Sequence, residues 1–206
     1  MALSTKNGAV LLDKDGTLLE NLPYNVDPQH MRLAPGAAAG LRQLATTGRR
    51  LVVISNQPGV AFGYFPETAL GAVRDRLAQL FEQQGASLAG FFYCPHHPAG
   101  TLPRYAHACT CRKPHSGLLK RAARQFGFCL RHSWMVGDIL DDIEAGRRVF
   151  CRTILVDCGN ETEWRRTPRR IPDYIVGDLR MAARLIVREM QPRQATGIVA
   201  AGMVPR

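Results

Sequence analysis

The sequence has no long apolar run, and this absence limits where the protein is expected to work. Nothing in the 206 residues approaches the roughly 18 to 20 consecutive apolar residues that a membrane-spanning helix requires. The N-terminal stretch MALSTKNGAVLLDKDG also lacks a basic start followed by a long apolar core, so we expect no signal peptide. No long exposed apolar stripe is evident either. We therefore expect a cytoplasmic monomer with no membrane partner.

Aromatic residues are also few, at 7% of the chain, which matters because the net charge of +10 would otherwise favour nucleic-acid binding. The basic residues are spread along the chain, with a local cluster only at Arg165, Arg166, Arg169 and Arg170. Aromatic side chains are not interleaved with them. We interpret the charge as a solvated basic surface that also attracts a small anionic substrate, and we expect no nucleic-acid partner.

Short apolar runs alternate with helical patterns along most of the chain. Predicted strands cover residues 9–12, 51–55, 89–93, 133–138, 152–157 and 173–176, and predicted helices cover 37–48, 67–84, 116–126, 143–149 and 179–189. Such alternation predicts an α/β, Rossmann-like parallel sheet with helices on both faces. No insertion is large enough for a full cap domain. We expect one domain over residues 1–190 and a disordered tail at 191–206.

Polar residues end three of the predicted strands. They are Asp13, Ser55 and Asp138, and open parallel sheets bind ligands at the carboxyl ends of their strands. We therefore expect these side chains to project from one edge of the sheet. The stretch DKDGTL at 13–18 sets two carboxylates two residues apart, followed by a glycine that permits a sharp turn. Alone this motif is weak, because Asp and Gly are common in ordinary turns.

A dense group of cysteines and histidines lies in the loop at residues 94–111. Cys94 and His96 form one pair, and Cys109 and Cys111 form another after twelve intervening residues. Three thiolates and one imidazole make a closed tetrahedral set suited to zinc. Full ligation leaves no open position for water, so the predicted metal is structural rather than catalytic. His97 could replace His96 if the loop geometry differs.

Six segments together resemble one known family, the haloacid dehalogenase-like phosphatases. The segments are DKDGTL, PYNVDP, SNQPGVAFG, YCPHHPAG, CTCRKP and MVGD, within residues 8–188. The resemblance is strongest to the branch of heptose bisphosphate and histidinol phosphate phosphatases. It implies Mg²⁺-dependent hydrolysis of a small phosphorylated sugar, most simply the 7-phosphate of D-glycero-D-manno-heptose 1,7-bisphosphate. The alternatives are histidinol phosphate and, less readily, the 3′-phosphate of DNA.

The chemistry assigns two catalytic roles to the DKDGTL motif. A carboxylate can act as nucleophile and form an acyl phosphate, and Asp13 is the candidate. Asp15 would protonate the leaving oxygen and later deprotonate the attacking water. By resemblance, the Mg²⁺ ligands are Asp13, the main-chain carbonyl of Asp15, and Asp138. The resemblance also assigns zinc to the same two Cys/His pairs.

Substrate contacts are likewise implied by the resemblance. They are Tyr24, Ser55, Asn56, Gln57, Arg112 and Lys113. Tyr24 and Asn25 lie in the loop 19–28, which would cover the pocket, together with residues 58–66 and the zinc loop. A plain turn built around Pro23 and Pro28 is the competing interpretation of that loop. Because Cys111 precedes Arg112 and Lys113, zinc would fix the backbone just before two anion-binding side chains.

Two points stay open in the sequence. Asp141 and Asp142 follow the last motif, where one could orient Lys113 or support the metal, or both could simply favour the start of a helix. Ile139 occupies the position after Gly-Asp where this branch often has Lys or Arg. A basic contact to a bisphosphate is therefore missing at that position.

Overall fold

Six short strands form one parallel sheet in this computed structural model, which describes residues 8–165 and 167–190. They are β1 (Ala9–Leu12), β2 (Arg50–Asn56), β3 (Leu88–Cys94), β4 (Trp134–Gly137), β5 (Arg152–Val156) and β6 (Tyr174–Val176). The strand order is β3-β2-β1-β4-β5-β6. The chain therefore leaves β1 toward one edge and returns to build the other, which creates a crevice beyond the carboxyl ends of β1 and β4.

In the described residues, five α-helices cover the two faces of the sheet. They are α1 (Ala37–Ala45), α2 (Leu70–Glu82), α3 (Gly117–Phe126), α4 (Leu140–Arg147) and α5 (Leu179–Met190). One buried cluster joins the sheet to α1, α2 and α5, and a second joins it to α3 and the middle of α4. In β1 the side chains alternate between the two: Val10 and Leu12 lie in the first cluster, Ala9 and Leu11 in the second.

Burial on both faces explains why the strands read as continuous apolar runs rather than alternating ones. All four residues of β1 are fully buried. Fully burying one leucine side chain stabilises the fold by about 1.5–3 kcal/mol, so the central strands hold the layers together. The predicted parallel α/β fold with helices on both faces is confirmed.

The starts of two predicted helices are wrong. The segment predicted as a helix from residue 67 begins as a 3-10 turn (Glu67–Ala69), and α2 starts at Leu70. The helix predicted from residue 143 begins three residues earlier, at Leu140. Its start is stabilised from a distance, because the Glu161 carboxylate accepts a hydrogen bond from the Leu140 amide at 2.6 Å.

The predicted tail at 191–206 lies outside the described residues, as does Arg166. Within residues 8–165 and 167–190, none of the helices has the length and apolar content to cross a bilayer. The assignment of residues 1–190 to a single phosphatase domain stays a prediction.

Candidate active site

Three carboxylates meet beyond the carboxyl ends of β1 and β4. Asp13 follows β1 and Asp138 follows β4, and the two strands pair with Leu12 opposite Val136. Carboxylate oxygens of Asp13, Asp138 and Asp142 all lie within 4.8 Å of one another, and all three residues are buried. The expectation that the strand-end acids share one edge is therefore met by Asp13 and Asp138.

Lys113 supplies the positive charge at the centre of this cluster. Its Nζ pairs with Asp13 and lies 2.6 Å from an oxygen of Asp142, and it donates to the Ile54 carbonyl at 3.0 Å. Burial lowers the pKa of Lys113, but the charges of Asp13 and Asp142 outweigh burial and raise it. Lys113 therefore remains a fixed cation beside Asp13, where an incoming phosphate would be attracted.

The structure separates the roles of Asp141 and Asp142. Asp142 is fully buried, with one oxygen against Lys113 and the other accepting from the Ile139 amide at 3.3 Å. Asp141 instead pairs with Arg170 at 2.5 Å. Asp142 thus positions Lys113 and begins α4, whereas Asp141 ties α4 to a neighbouring loop.

Asp15 lies two residues after Asp13 and forms an ion pair that the sequence did not reveal. Lys14 is buried, and its Nζ lies 2.5 Å from an Asp15 oxygen. Burial raises the pKa of Asp15, and Lys14 only partly offsets this effect. Gly16 has φ 83°, and a Cβ there would lie 2.1 Å from an Asp138 oxygen. The turn that presents Asp15 therefore requires glycine.

Asp138 is held by two residues that the motif analysis missed. Thr17 donates to one of its oxygens at 3.1 Å, and Asn160 donates to the other at 2.8 Å. Asn160 lies in the loop after β5, the strand beside β4. A polar residue shortly after the apolar run at 152–156 was the available signal, but only the strand order brings that loop to Asp138.

The acidic cluster suits a divalent cation. Burial, with the neighbouring Asp13 and Asp142 charges, raises the pKa of Asp138 to about 8, and burial raises the pKa of Asp142 to about 7 although Lys113 opposes it. These shifts show that the cluster resists three full negative charges offset by a single lysine, and a divalent cation would favour the ionised form of the carboxylates. Magnesium binds through oxygen ligands of this kind, so the residues present fit the predicted ion. Ligation by the Asp15 carbonyl stays a prediction.

Ser55, Asn56 and Gln57 differ in how free they are to contact a substrate. The Gln57 amide donates to the Ser55 hydroxyl at 2.8 Å and lies 3.5 Å from the Asp15 carboxylate. Asn56 uses both ends of its amide on the Lys113 backbone, at 3.0 and 3.1 Å. Asn56 therefore positions the Lys113 segment, and its predicted contact with substrate stays untested.

The predicted zinc ligands come together as a compact set. The sulfur atoms of Cys94, Cys109 and Cys111 are 3.2–3.4 Å apart, and His96 Nδ1 lies 3.4 Å from Cys111. A tetrahedral site with bonds of about 2.3 Å has edges only slightly longer, so the donor set fits zinc. His96, rather than the alternative His97, belongs to the cluster.

The Cys/His cluster is joined directly to the basic pair that follows it. The Arg112 amide donates to Cys109 Sγ at 3.3 Å. In the described part of the chain, the buried Nη1 of Arg112 has no hydrogen-bond partner. Tyr105 anchors the same loop to Glu67 at 2.8 Å, just before α2. The loop therefore holds Arg112 with an unsatisfied donor, which suits recognition of an anionic group.

The three loops predicted to cover the site contact one another through aromatic side chains. The Tyr24 ring lies 4.8 Å from Tyr64 and 6.4 Å from Phe62, and Phe62 lies 4.9 Å from His97 of the zinc loop. Tyr24 is 49% exposed. The turn interpretation also has support, because the Asn25 side chain accepts from the Asp27 amide at 3.0 Å. Tyr24 thus packs against the loop at residues 58–66, while Asn25 stabilises the turn; the role of Tyr24 in covering the pocket stays a prediction.

Comparisons with known proteins agree with this geometry. A family model described as HAD-hydrolase-like matches residues 110–182. The chain is 33% identical over 165 residues to D-glycero-beta-D-manno-heptose-1,7-bisphosphate 7-phosphatase of Escherichia coli (strain K12), covering 76% of this chain and 86% of that protein. The corresponding Haemophilus influenzae protein is 36% identical over 140 residues, covering 68% of this chain and 76% of its own.

Two solved structures extend the likeness to three dimensions. A HAD-like phosphatase from Mesorhizobium loti superposes with a TM-score of 0.75 at 30% identity, covering 90% of each chain. D,D-heptose 1,7-bisphosphate phosphatase from B. bronchiseptica, complexed with magnesium and phosphate, superposes with a TM-score of 0.72 at 26% identity. The match covers 88% of this chain and 99% of that one.

Proposed function

Since the chain belongs to the haloacid dehalogenase-like phosphatase family and is a phosphoric monoester hydrolase, we propose that it removes the 7-phosphate of D-glycero-D-manno-heptose 1,7-bisphosphate. The observation that carries the reaction class is the buried Asp13–Lys113–Asp142 arrangement at the sheet edge. The substrate rests on the curated relatives and on the superposition with the B. bronchiseptica phosphatase.

In the proposed mechanism Asp13 attacks the phosphorus atom and becomes an aspartyl phosphate. Lys113 pairs with Asp13 before attack and with the phosphoryl oxygens during it. Asp15 donates a proton to the leaving sugar oxygen, and burial, which raises its pKa, favours the protonated form that can donate. Asp15 then accepts a proton from the water that hydrolyses the acyl phosphate.

Bound magnesium would offset the repulsion between the Asp13 carboxylate and the phosphate. Asp13 and Asp138 are its proposed side-chain ligands, with the Asp15 carbonyl as the main-chain ligand. Thr17 and Asn160 orient the Asp138 carboxylate toward the cluster, as outer hydrogen bonds commonly do for metal ligands. Asp142 is engaged by Lys113 and the Ile139 amide, so we assign it no direct metal role.

The remaining contacts would place the two ends of the substrate. The Ser55 hydroxyl, with Gln57 beside it, would bind the transferring phosphate. Arg112 would bind the group at the far end of the sugar, because its buried Nη1 lacks a protein partner among the described residues. Tyr24 would lie against the sugar as part of the lid.

A second candidate substrate is histidinol phosphate, and one residue favours it. Ile139 places an apolar side chain where this branch often has Lys or Arg. A basic residue there would serve a second phosphate, whereas the amine of histidinol phosphate does not require one.

We also propose zinc for the site formed by Cys94, His96, Cys109 and Cys111. Contacts with the sulfur atoms of Cys94 and Cys109 lower the pKa of Cys111 to about 5, although burial opposes this shift. A ready thiolate is the form that binds zinc. All six cysteines are free thiols, which fits the reducing cytoplasm that we propose as the compartment.

The test is phosphate release in Mg²⁺ from three compounds: the heptose bisphosphate, histidinol phosphate and a 3′-phosphorylated oligonucleotide. We expect the highest kcat/KM on the heptose bisphosphate and loss of that activity in Asp13→Asn. A preference for histidinol phosphate would contradict the proposed substrate but would leave the proposed mechanism unchanged. A preference for the oligonucleotide that falls steeply with salt would move the substrate to DNA ends.

A further inference from the structure

A basic cavity lies apart from the candidate active site, between α3 and the end of α4. Its volume is about 550 Å³, and none of the predicted catalytic, substrate or metal residues lines it. Five of its lining residues are Lys or Arg: Lys120, Arg124, Arg147, Arg148 and Arg169. Within the part of the chain that the structure describes, the lining contains no Asp or Glu. The cavity is therefore a concave concentration of positive charge with no role in the proposed reaction.

The five cations are not equally neutralised. Arg147 pairs with Asp173 at 3.0 Å and Arg148 pairs with Glu144 at 2.6 Å. Over residues 8–165 and 167–190, Lys120, Arg124 and Arg169 form no ion pair. Three like charges around one cavity repel one another, and a bound anion would relieve that repulsion.

The start of α3 adds to the positive potential of the same cavity. Ser116 and Gly117 belong to its lining, and Ser116 is the N-cap residue of a ten-residue helix. Among the described residues its side chain makes no capping hydrogen bond, which leaves the hydroxyl unused in capping the helix. The N-terminus of a helix carries partial positive charge and exposed amide donors, both of which favour phosphate.

From these features we propose that the cavity binds a small anion carrying two or more phosphate groups. The volume falls in the range of small-molecule sites, about 300–1,000 Å³. Three unpaired cations exceed what a single monoanion would need. The concave shape favours a small ligand over a nucleic-acid strand, which would instead require a basic groove that follows the backbone.

The site also has a physical connection to the catalytic loop. Thr110 lies between two zinc-cluster cysteines and lines the cavity, and its carbonyl accepts from the Gly117 amide at 3.0 Å. Arg112 and Lys113 lie in the short segment between these two residues. Occupancy of the cavity would therefore contact both ends of the segment that carries the active-site cations.

The test is a titration of the isotope-labelled full chain with sodium tripolyphosphate in Mg²⁺-free buffer at physiological ionic strength, followed by backbone amide NMR. We expect saturable shifts in residues 115–124 and 147–150, apart from any shifts near Asp13 and Lys113. The triple variant K120Q/R124Q/R169Q should weaken the first set about tenfold or more, because it removes charge-assisted hydrogen bonds.

The matched control is R42Q/R184Q/R188Q, which removes the same charge from a cavity between α1 and α5. It should leave the tripolyphosphate shifts unchanged. Shifts confined to the active site, or equal binding by the K120Q/R124Q/R169Q variant, would overturn the proposal and leave a solvated basic surface. So would tighter binding of a single-stranded oligonucleotide than of tripolyphosphate to these residues.

Discussion

The strand-end cluster and the Cys/His loop are both candidate metal sites, yet they are built in opposite ways. The first gathers buried carboxylates and a lysine from segments far apart in the chain, with Lys113 one hundred residues from Asp13. The second takes all four donors from residues 94–111. In the first, charged side chains remain able to contact a substrate. In the second, the four ligand atoms contact one another.

The two regions meet at Arg112 and Lys113. The Cys/His loop ends one residue before Arg112, and Asn56 fixes the Lys113 backbone from the side of β2. One region would therefore perform the reaction, and the other would fasten the segment that delivers its cations. This difference predicts unequal effects when each region is changed.

The largest effect should come from the nucleophile. Asp13→Asn removes the attacking carboxylate but keeps the size of the side chain. We expect kcat to fall on the order of 10³-fold or more, as when a nucleophile or its partner is lost in other hydrolases. Phosphate release under saturating Mg²⁺ measures it. Asp141→Asn is the matched control, because Asp141 pairs with Arg170 outside the cluster.

A smaller but still large effect should separate Asp138 from Asp142. Asp138→Asn should raise the Mg²⁺ concentration needed for half-maximal activity by at least about 10–100-fold, which is the loss typical of residues that only support a metal ligand. Asp142→Asn should lower kcat with little change in that concentration, because Asp142 contacts Lys113. Equal shifts of the Mg²⁺ requirement in both variants would make Asp142 a ligand and contradict our assignment.

Breaking the Cys/His loop should reduce activity without abolishing it. We expect Cys109→Ser to lose bound zinc and to raise KM about tenfold, because Arg112 loses its fixed position. Zinc content by atomic absorption and steady-state kinetics test this together. Cys129→Ser is the control, since Cys129 lies outside the cluster. A zinc-free protein with full activity would show that catalysis does not require the Cys/His loop to hold Arg112 in place.

A substitution at Ile139, where the chain departs from the family pattern, should increase the preference for a bisphosphate substrate. Ile139→Lys restores a basic side chain after Gly-Asp. We expect KM for the heptose bisphosphate to fall about threefold to tenfold, in line with one added charge contact at a partly exposed site. KM for a monophosphate of the same sugar should hardly change. Equal changes for both substrates would mean that this residue does not contact the second phosphate.

The smallest effect should come from a residue outside both regions. Burial raises the pKa of Glu144, but Arg170 and Arg148 outweigh it and hold the pKa below its ordinary value. Its contribution to stability is therefore present above the ordinary pKa and is lost as pH falls through the lowered value. Glu144→Gln should cost about 1 kcal/mol at neutral pH, and denaturant unfolding should show the difference shrinking in acid with activity unchanged.

Two kinds of feature could be predicted from the sequence: those formed by neighbours in the chain, and side chains at strand ends, which a parallel sheet brings to one edge. The runs at β1 and β4 indicated strands because both faces are buried. Spacing alone brought Cys94, His96, Cys109 and Cys111 into one hypothesis.

The contacts that could not be predicted are those between loops that the strand order brings together. Asn160 reaches Asp138, and Glu161 stabilises the start of α4, only because β5 lies next to β4. Lys14 was visible within DKDGTL, but nothing in the motif indicated that it would be buried against Asp15. The predicted start of α4 was wrong for the same reason, since the amide of its first residue, Leu140, is satisfied by Glu161.

The assignment of the reaction to the strand-end cluster, and of a supporting role to the Cys/His loop, is tested most directly by acid-quench mass spectrometry during turnover of the heptose bisphosphate. We expect a phosphate adduct on Asp13 in the wild type, and the same adduct on the same residue, formed more slowly, in Cys109→Ser. An adduct on any other residue, or none in the wild type while phosphate is released, would contradict the assignment of the chemistry to the strand-end cluster.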